Sequence, residues 1–204
     1  DEFHERSLQA DLGLALVRES QQVLRPDLRV LVMSATLDTG PLATMLGDAP
    51  VITSEGRAFP VDVLYRPLKT SPGRPPRLLD HVVSVIHEAL AEQPGSVLVF
   101  LPGAGEIRKV EQLVGSSLSP ETLLAPLYGN LRGADQDKAI EPAPQGQRKV
   151  VLATAIAETS LTIEGVRVVI DAGQARRAMF DPNSGMTRLV TGRVSRAAAE
   201  QRKG

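Results

Sequence analysis

Apolar positions along the chain change period several times, and each change predicts an element. Leu8, Leu12, Ala15, Leu16 and Val23 recur at three- to four-residue spacing, which predicts a helix over 8–24. The run 29–33 is short and apolar and predicts a buried strand; 37–46 predicts a short helix and 51–53 a further strand. From residue 78 the alternation becomes regular. Helices are predicted over 78–91, 106–114 and 135–140, and strands over 96–101, 123–127, 149–153 and 166–171. The strand runs are continuously apolar rather than alternating, the pattern of parallel strands buried on both faces. Residues 175–190 predict a β-hairpin turning on Asp181-Pro182-Asn183-Ser184-Gly185. Internal repeats are not evident.

Pro67, Pro72, Gly73, Pro75 and Pro76 cluster between the two halves of this pattern. Such a stretch suits a linker. The expected organisation is therefore an α/β unit over 1–66, a linker over 67–77 and another α/β unit over 78–204. The latter is expected to be nearly complete. The former supplies only two strands and opens where a strand should be ending, so it is expected to be the C-terminal part of a truncated domain.

Composition narrows the function classes. Hydrophobic residues make up 42% and charged residues 23% of the chain, ordinary values for a soluble globular protein. The absence of cysteine excludes a disulfide framework and a thiolate metal site, and three histidines argue against a dedicated zinc site. No apolar run approaches the ~18 residues of a membrane span, and no leader pattern is present, so a cytoplasmic location without membrane attachment is expected. The net charge of −1 announces no polyanionic partner. The distribution says more: residues 167–204 hold eight Arg and Lys against Asp171, Asp181 and Glu200, a local positive excess that suits phosphates or a solvated surface equally.

Four short motifs carry candidate chemistry. Asp1-Glu2-Phe3-His4 places an acidic pair at an expected strand end, where it could hold Mg²⁺ and position a water against a γ-phosphate, or favour a helix start. Ser34-Ala35-Thr36 follows the first predicted strand; Thr36 or Asp38 could equally cap the next helix. Ala153-Thr154-Ala155-Ile156-Ala157-Glu158-Thr159-Ser160-Leu161-Thr162-Ile163-Glu164-Gly165 follows another strand, and Gln201-Arg202-Lys203-Gly204 comes last. In this order the set resembles motifs II, III, V and the start of VI of superfamily 2 DEAH/DExH-box ATP-dependent helicases. Asp1-Glu2-Phe3-His4-Glu5-Arg6-Ser7-Leu8 and Glu55-Gly56-Arg57-Ala58-Phe59-Pro60-Val61 are most similar to the bacterial HrpB branch. The resemblance spans essentially the whole chain.

The resemblance implies RecA-like parallel sheets with helices on both faces, one truncated and one nearly complete, with an added β-hairpin. It implies ATP and Mg²⁺ as cofactors and single-stranded nucleic acid, expected to be RNA, as partner. By position, Asp1 would bind Mg²⁺ and Glu2 would polarise the hydrolytic water. His4 would link the nucleotide to Gln201 and to the Ser34 and Thr36 hydroxyls, coupling hydrolysis to domain movement. Gln201 and Arg202 belong to the catalytic motif VI. Ser160, Thr162 and Glu164 would face the nucleotide and ribose, although Thr159 or Ser160 could instead cap a helix. Phe100-Leu101-Pro102-Gly103 ends a strand as motif IV does, with Gly103 letting backbone N–H groups approach phosphates; without the family it is an ordinary strand-to-helix turn. Thr154 would hold a backbone phosphate through its hydroxyl and N–H, with Thr159 beside it. The hairpin after motif V borders the nucleic-acid channel in the family, which lends purpose to Arg176 and Arg177. Pro126-Leu127-Tyr128-Gly129, Gln136 and Glu141-Pro142-Ala143-Pro144 match motif IVa. One departure stands there: an aromatic that stacks adenine is replaced by Ile140, an apolar contact without a π face.

A helicase of this class also needs a Gly-x-x-x-x-Gly-Lys-Ser/Thr loop to hold phosphates, and the chain has no Gly-Lys pair. The family's finger arginines follow the last motif. The parent protein is thus expected to be an ATPase and the isolated chain inactive. The competing expectations are a non-catalytic nucleic-acid-binding or adaptor module with a helicase fold, and a DNA rather than RNA translocase.

Overall fold

The computed structural model describes residues 3, 8–34, 39–54, 59–68, 77–158 and 163–203. The chain divides into two compact units, Asp1–Phe59 and Pro60–Gly204.

In the first unit the two predicted helices form, α1 (Leu8–Val23) and α2 (Thr39–Met45). The Arg18 guanidinium donates to the Met45 carbonyl at 3.2 Å, tying one helix to the end of the other. The predicted strands 29–33 and 51–53 do not form: neither segment is part of a ladder. The physical reason is pairing. An apolar run becomes a strand only when a neighbour supplies N–H and C=O groups in register. Among the described residues only one such bond is present, from Phe3 N–H to the Met33 carbonyl at 3.1 Å. Leu31 and Ile52 accordingly stay 76% and 91% exposed instead of entering a core.

The second unit begins before the expected linker. Arg66 donates to Glu88 at 2.7 Å, and the Arg66 carbonyl lies 2.9 Å from His81 Nε2, so residues 60–66 are tied to the helix that follows. That helix is α3 (Leu78–Glu92). Then come β1 (Ser96–Phe100), α4 (Ala104–Val114), β2 (Thr122–Leu127), α5 (Gly133–Ile140), β3 (Arg148–Ala153), a 3₁₀ turn over Ala155–Ala157, β4 (Val166–Asp171), β5 (Gln174–Asp181), β6 (Met186–Arg193) and α6 (Arg196–Lys203).

The first four strands make one parallel sheet in the order β2-β3-β1-β4. Successive strand residues serve opposite faces. Val97, Val99, Leu101, Val150, Leu152 and Ile170 pack with Val82 and Ile86 of α3 and Ile107, Val110 and Val114 of α4. Leu98, Phe100, Val151 and Ala153 pack on the other side with Ala139 of α5, Ala157 and Ile163. Both faces are covered, which is why these runs lack polar alternation.

β5 and β6 form a separate antiparallel ribbon. Its turn is set by Asp181, whose carboxylate accepts from Asn183 N–H at 3.1 Å and whose carbonyl accepts from Gly185 N–H at 2.9 Å. Gly185 has φ 66°, a conformation in which a side chain is disfavoured. α6 was not legible from apolar periodicity, since Arg-Ala-Ala-Ala-Glu-Gln-Arg-Lys has no large apolar residue. Ala propensity and the Ser195 hydroxyl, which accepts from Ala198 N–H at 3.2 Å as an N-cap, explain it.

Candidate functional site

Parallel α/β sheets present ligands at the carboxyl ends of their strands, where the loops leave. The register brings three such ends together: Phe100 pairs with Ala153 on one side and Asp171 on the other. Backbone bonds continue the ladder into the loops, from Leu101 N–H to the Ala153 carbonyl at 2.8 Å and from Ala172 N–H to the Phe100 carbonyl at 3.1 Å. The segments carrying Gly103, Thr154 and Asp171 therefore leave the sheet side by side.

Gly103 precedes α4 with extended backbone. A Cβ there would stand 2.5 Å from Arg176 Nη1 and 2.8 Å from Arg176 Cζ, so glycine is what lets the guanidinium lie on the turn. Arg176, from the root of the ribbon, also donates to Glu106 Oε1 at 3.0 Å and to Thr191 Oγ1 at 3.4 Å. The other Glu106 oxygen is buried without a hydrogen-bond partner. Two expected nucleic-acid contacts, Gly103 and Arg176, are thus brought into direct contact. Arg177 is exposed opposite Val190; neighbouring positions of a strand alternate sides, so it leaves the ribbon by the other face.

Thr154 is half-buried and its N–H already donates to the Leu127 carbonyl at 3.1 Å. Of the two groups expected to meet a phosphate, the hydroxyl is the one left over from the backbone ladder.

Arg202 is the most enclosed charge at this end of the sheet, 5% exposed. Its Nε donates to Glu158 Oε2 at 3.1 Å and its Nη1 to Asp171 Oδ1 at 2.9 Å. Asp171 Oδ1 also accepts from Gly173 N–H at 2.8 Å. The guanidinium carbon sits 4.7 Å from the centre of the Phe100 ring. One side chain of α6 thereby joins β1, β4 and the segment after β3. Sequence reasoning missed Glu158, Asp171 and Phe100 as its partners, since nothing in the spacing pairs residues 31 and 44 positions apart.

A further buried cation was also missed. Lys149 is the second residue of β3 and is 2% exposed, yet its ammonium donates to the carbonyls of Lys138 at 3.0 Å, Ala139 at 2.9 Å and Glu141. Burial pushes this ammonium below the ordinary lysine value, opposed by the Glu141 carboxylate. Its only signal in the sequence was a charge heading an apolar strand.

Of the other expected residues, Ile140 ends α5 half-buried, Gln201 is half-buried on α6 and Glu164 is exposed before β4. Ser34 is half-buried in the first unit. Asp1, Glu2, His4, Thr36, Thr159, Ser160 and Thr162 lie outside the described residues. Among the described residues no cluster of three His, Cys, Asp or Glu could hold a metal ion, and no helix is long and apolar enough to cross a membrane.

The helicase conserved C-terminal domain family matches residues 78–202. The chain is 57% identical over its whole length to ATP-dependent RNA helicase HrpB of Escherichia coli K12 and 38% identical to the pre-mRNA-splicing factor ATP-dependent RNA helicase prp22 of Schizosaccharomyces pombe. It spans 25% and 18% of those two proteins. The crystal structure of the Escherichia coli DEAH/RHA helicase HrpB superimposes with a TM-score of 0.90, covering all of this chain and 26% of that one. The RecA-like parallel sheet with its added hairpin and the HrpB-type resemblance both stand, and the chain belongs to the helicase conserved C-terminal domain family.

Proposed function

We propose that the protein carrying this chain is an ATP-dependent helicase that moves along single-stranded RNA in the cytoplasm. The observation that carries the reading is the convergence of Gly103, Thr154 and Arg176 at the carboxyl edge of the sheet, beside the Arg202 ion-pair cluster. A glycine turn, a free hydroxyl and a guanidinium are phosphate-seeking groups that ignore base identity, as translocation requires. By family position Thr159 and Arg177 would also contact the strand, Arg177 from the face of the ribbon opposite Arg176.

Nucleotide chemistry falls to the remaining motifs. By family position Asp1 would hold Mg²⁺, which would supply charge screening of the triphosphate, and Glu2 would polarise the attacking water as general base. His4, Ser34, Thr36 and Gln201 would, by family position, couple the state of the nucleotide to movement along the strand. By family position Ser160, Thr162 and Glu164 would meet its ribose side, and Ile140 would supply an apolar contact to the base. Arg202 acts through Glu158 and Asp171, holding the segment after Thr154 in place.

The test is nucleotide hydrolysis by the full-length protein with single-stranded RNA, with matched DNA and with neither. RNA-stimulated ATP hydrolysis is the expected result. No hydrolysis under any condition removes the helicase reading in favour of a binding module; equal stimulation by DNA removes the RNA assignment.

A further inference from the structure

We infer that Lys149 is a positioning residue for the nucleotide base, acting by clamping the peptide units on both sides of Ile140. The inference rests on the reading above that Ile140 meets the base. It goes beyond that reading by naming what holds the contact in place.

The last carbonyls of a helix have no partner within the helix and must be met by a side chain, a turn or water. α5 ends at Ile140, and Gly, the common solution to this problem, is absent: Glu141-Pro142 follows instead. Pro142 has no N–H to fold back on the helix. The Lys149 ammonium takes over, donating to the carbonyls of residues 138, 139 and 141. Two of those carbonyls flank Ile140 directly, one before and one after. Three acceptors converging on one point match the three hydrogens of an ammonium, and no other side chain offers that geometry.

The clamp is anchored in the sheet. The Lys149 N–H donates to the Ser96 hydroxyl at 3.0 Å, and Leu123 pairs with Lys149 across β2 and β3. The position of Ile140 is thereby referred to the same strand, β3, that leads into Thr154. An exposed lysine would serve a helix end for a fraction of the effect, because water competes for the carbonyls; enclosure removes the competitor. A bland packing role predicts a less stable protein. A positioning role predicts a loss specific to the base.

The experiment uses the full-length protein at saturating RNA, with ATP and with ribose 5-triphosphate, which has the phosphates and no base. Lys149→Met keeps the stem and deletes the donors. It is expected to raise KM for ATP about five-fold with kcat unchanged, the signature of lost uniform binding, while KM for ribose 5-triphosphate stays as it was. Ile140→Ala should do the same. A folded Lys149→Met protein with unchanged KM for ATP, or with equal losses on both substrates, overturns the positioning role. If Ile140→Ala raises KM for ATP and Lys149→Met does not, only the clamp falls; if neither does, the base contact falls with it. Should Lys149→Met not fold, Lys149→Arg keeps the charge but cannot aim three donors at one point, and the same substrate-specific rise in KM is required of it. No hydrolysis by the unsubstituted protein overturns both readings.

Discussion

Arg202 and Phe100 are in cation–π contact, the guanidinium carbon 4.7 Å from the ring centre, although they lie far apart in the sequence of the second unit. The ring belongs to the buried face of the sheet, so the charge that rests on it is largely removed from water. Glu158 and Asp171 make that burial possible by accepting from two of its donors. Replacing Arg202 by Met leaves two carboxylates facing each other without a cation. Both carboxylates reach solvent once the cation is gone, so the loss is that of charge-assisted hydrogen bonds, about 1.5–3 kcal/mol, and urea unfolding should show it. Arg202→Lys should recover only a minor part, because a single ammonium cannot reproduce a planar fork that bonds two carboxylates while lying on a ring. Near-neutral unfolding midpoints for both variants would contradict the staple.

Gly103 and Arg176 make a separable prediction. A methyl group at Gly103 must displace the far end of a flexible side chain, which is cheap for the fold but breaks the Arg176–Glu106 pair. That pair is partly exposed, so Gly103→Ala should cost less than about 1 kcal/mol in stability. The double-mutant cycle is the sharper test. In an Arg176→Ala background the same Gly103→Ala change should cost nothing further, because the group it collides with is gone. Additive losses would mean that the collision is not what glycine avoids.

Lys149 ties stability to pH with a definite sign. Burial lowers its folded-state value, so between that value and the ordinary lysine value of 10.5 the unfolded chain binds a proton that the folded chain has released. Stability from this group therefore rises with pH across that window. Unfolding measured from neutral to alkaline pH, for the unsubstituted protein and Lys149→Met, isolates the contribution as a difference. The unsubstituted protein should gain relative to the variant as pH rises; a relative loss would reverse the sign of the effect of burial.

Periodicity made the second unit legible almost element by element, because its strands are covered on both faces and its helices on one. Val97, Val99, Val150 and Leu152 could be recognised as sheet core from composition alone, since any parallel sheet must bury such runs. The same reasoning failed at 29–33 and 51–53. Those runs have strand composition, but a strand is a property of two segments, and the pairing partner is not encoded in the run itself. α6 escaped for the opposite reason: it is held by Ser195 and by Arg202, not by an apolar stripe.

The amino-acid sequence by itself determined the family, through an ordered set of short motifs, and it determined the sheet and the hairpin, through period and turn chemistry. Those are local signals, readable within about a dozen residues. The tertiary structure alone decided the partners of the charged groups: that Arg176 lies on Gly103, that Arg202 joins Glu158 to Asp171 over Phe100, and that Lys149 closes α5 around Ile140. A buried charge is tolerated only where several distant groups converge on it, and convergence is set by how the strands are ordered in space, not by their order along the chain.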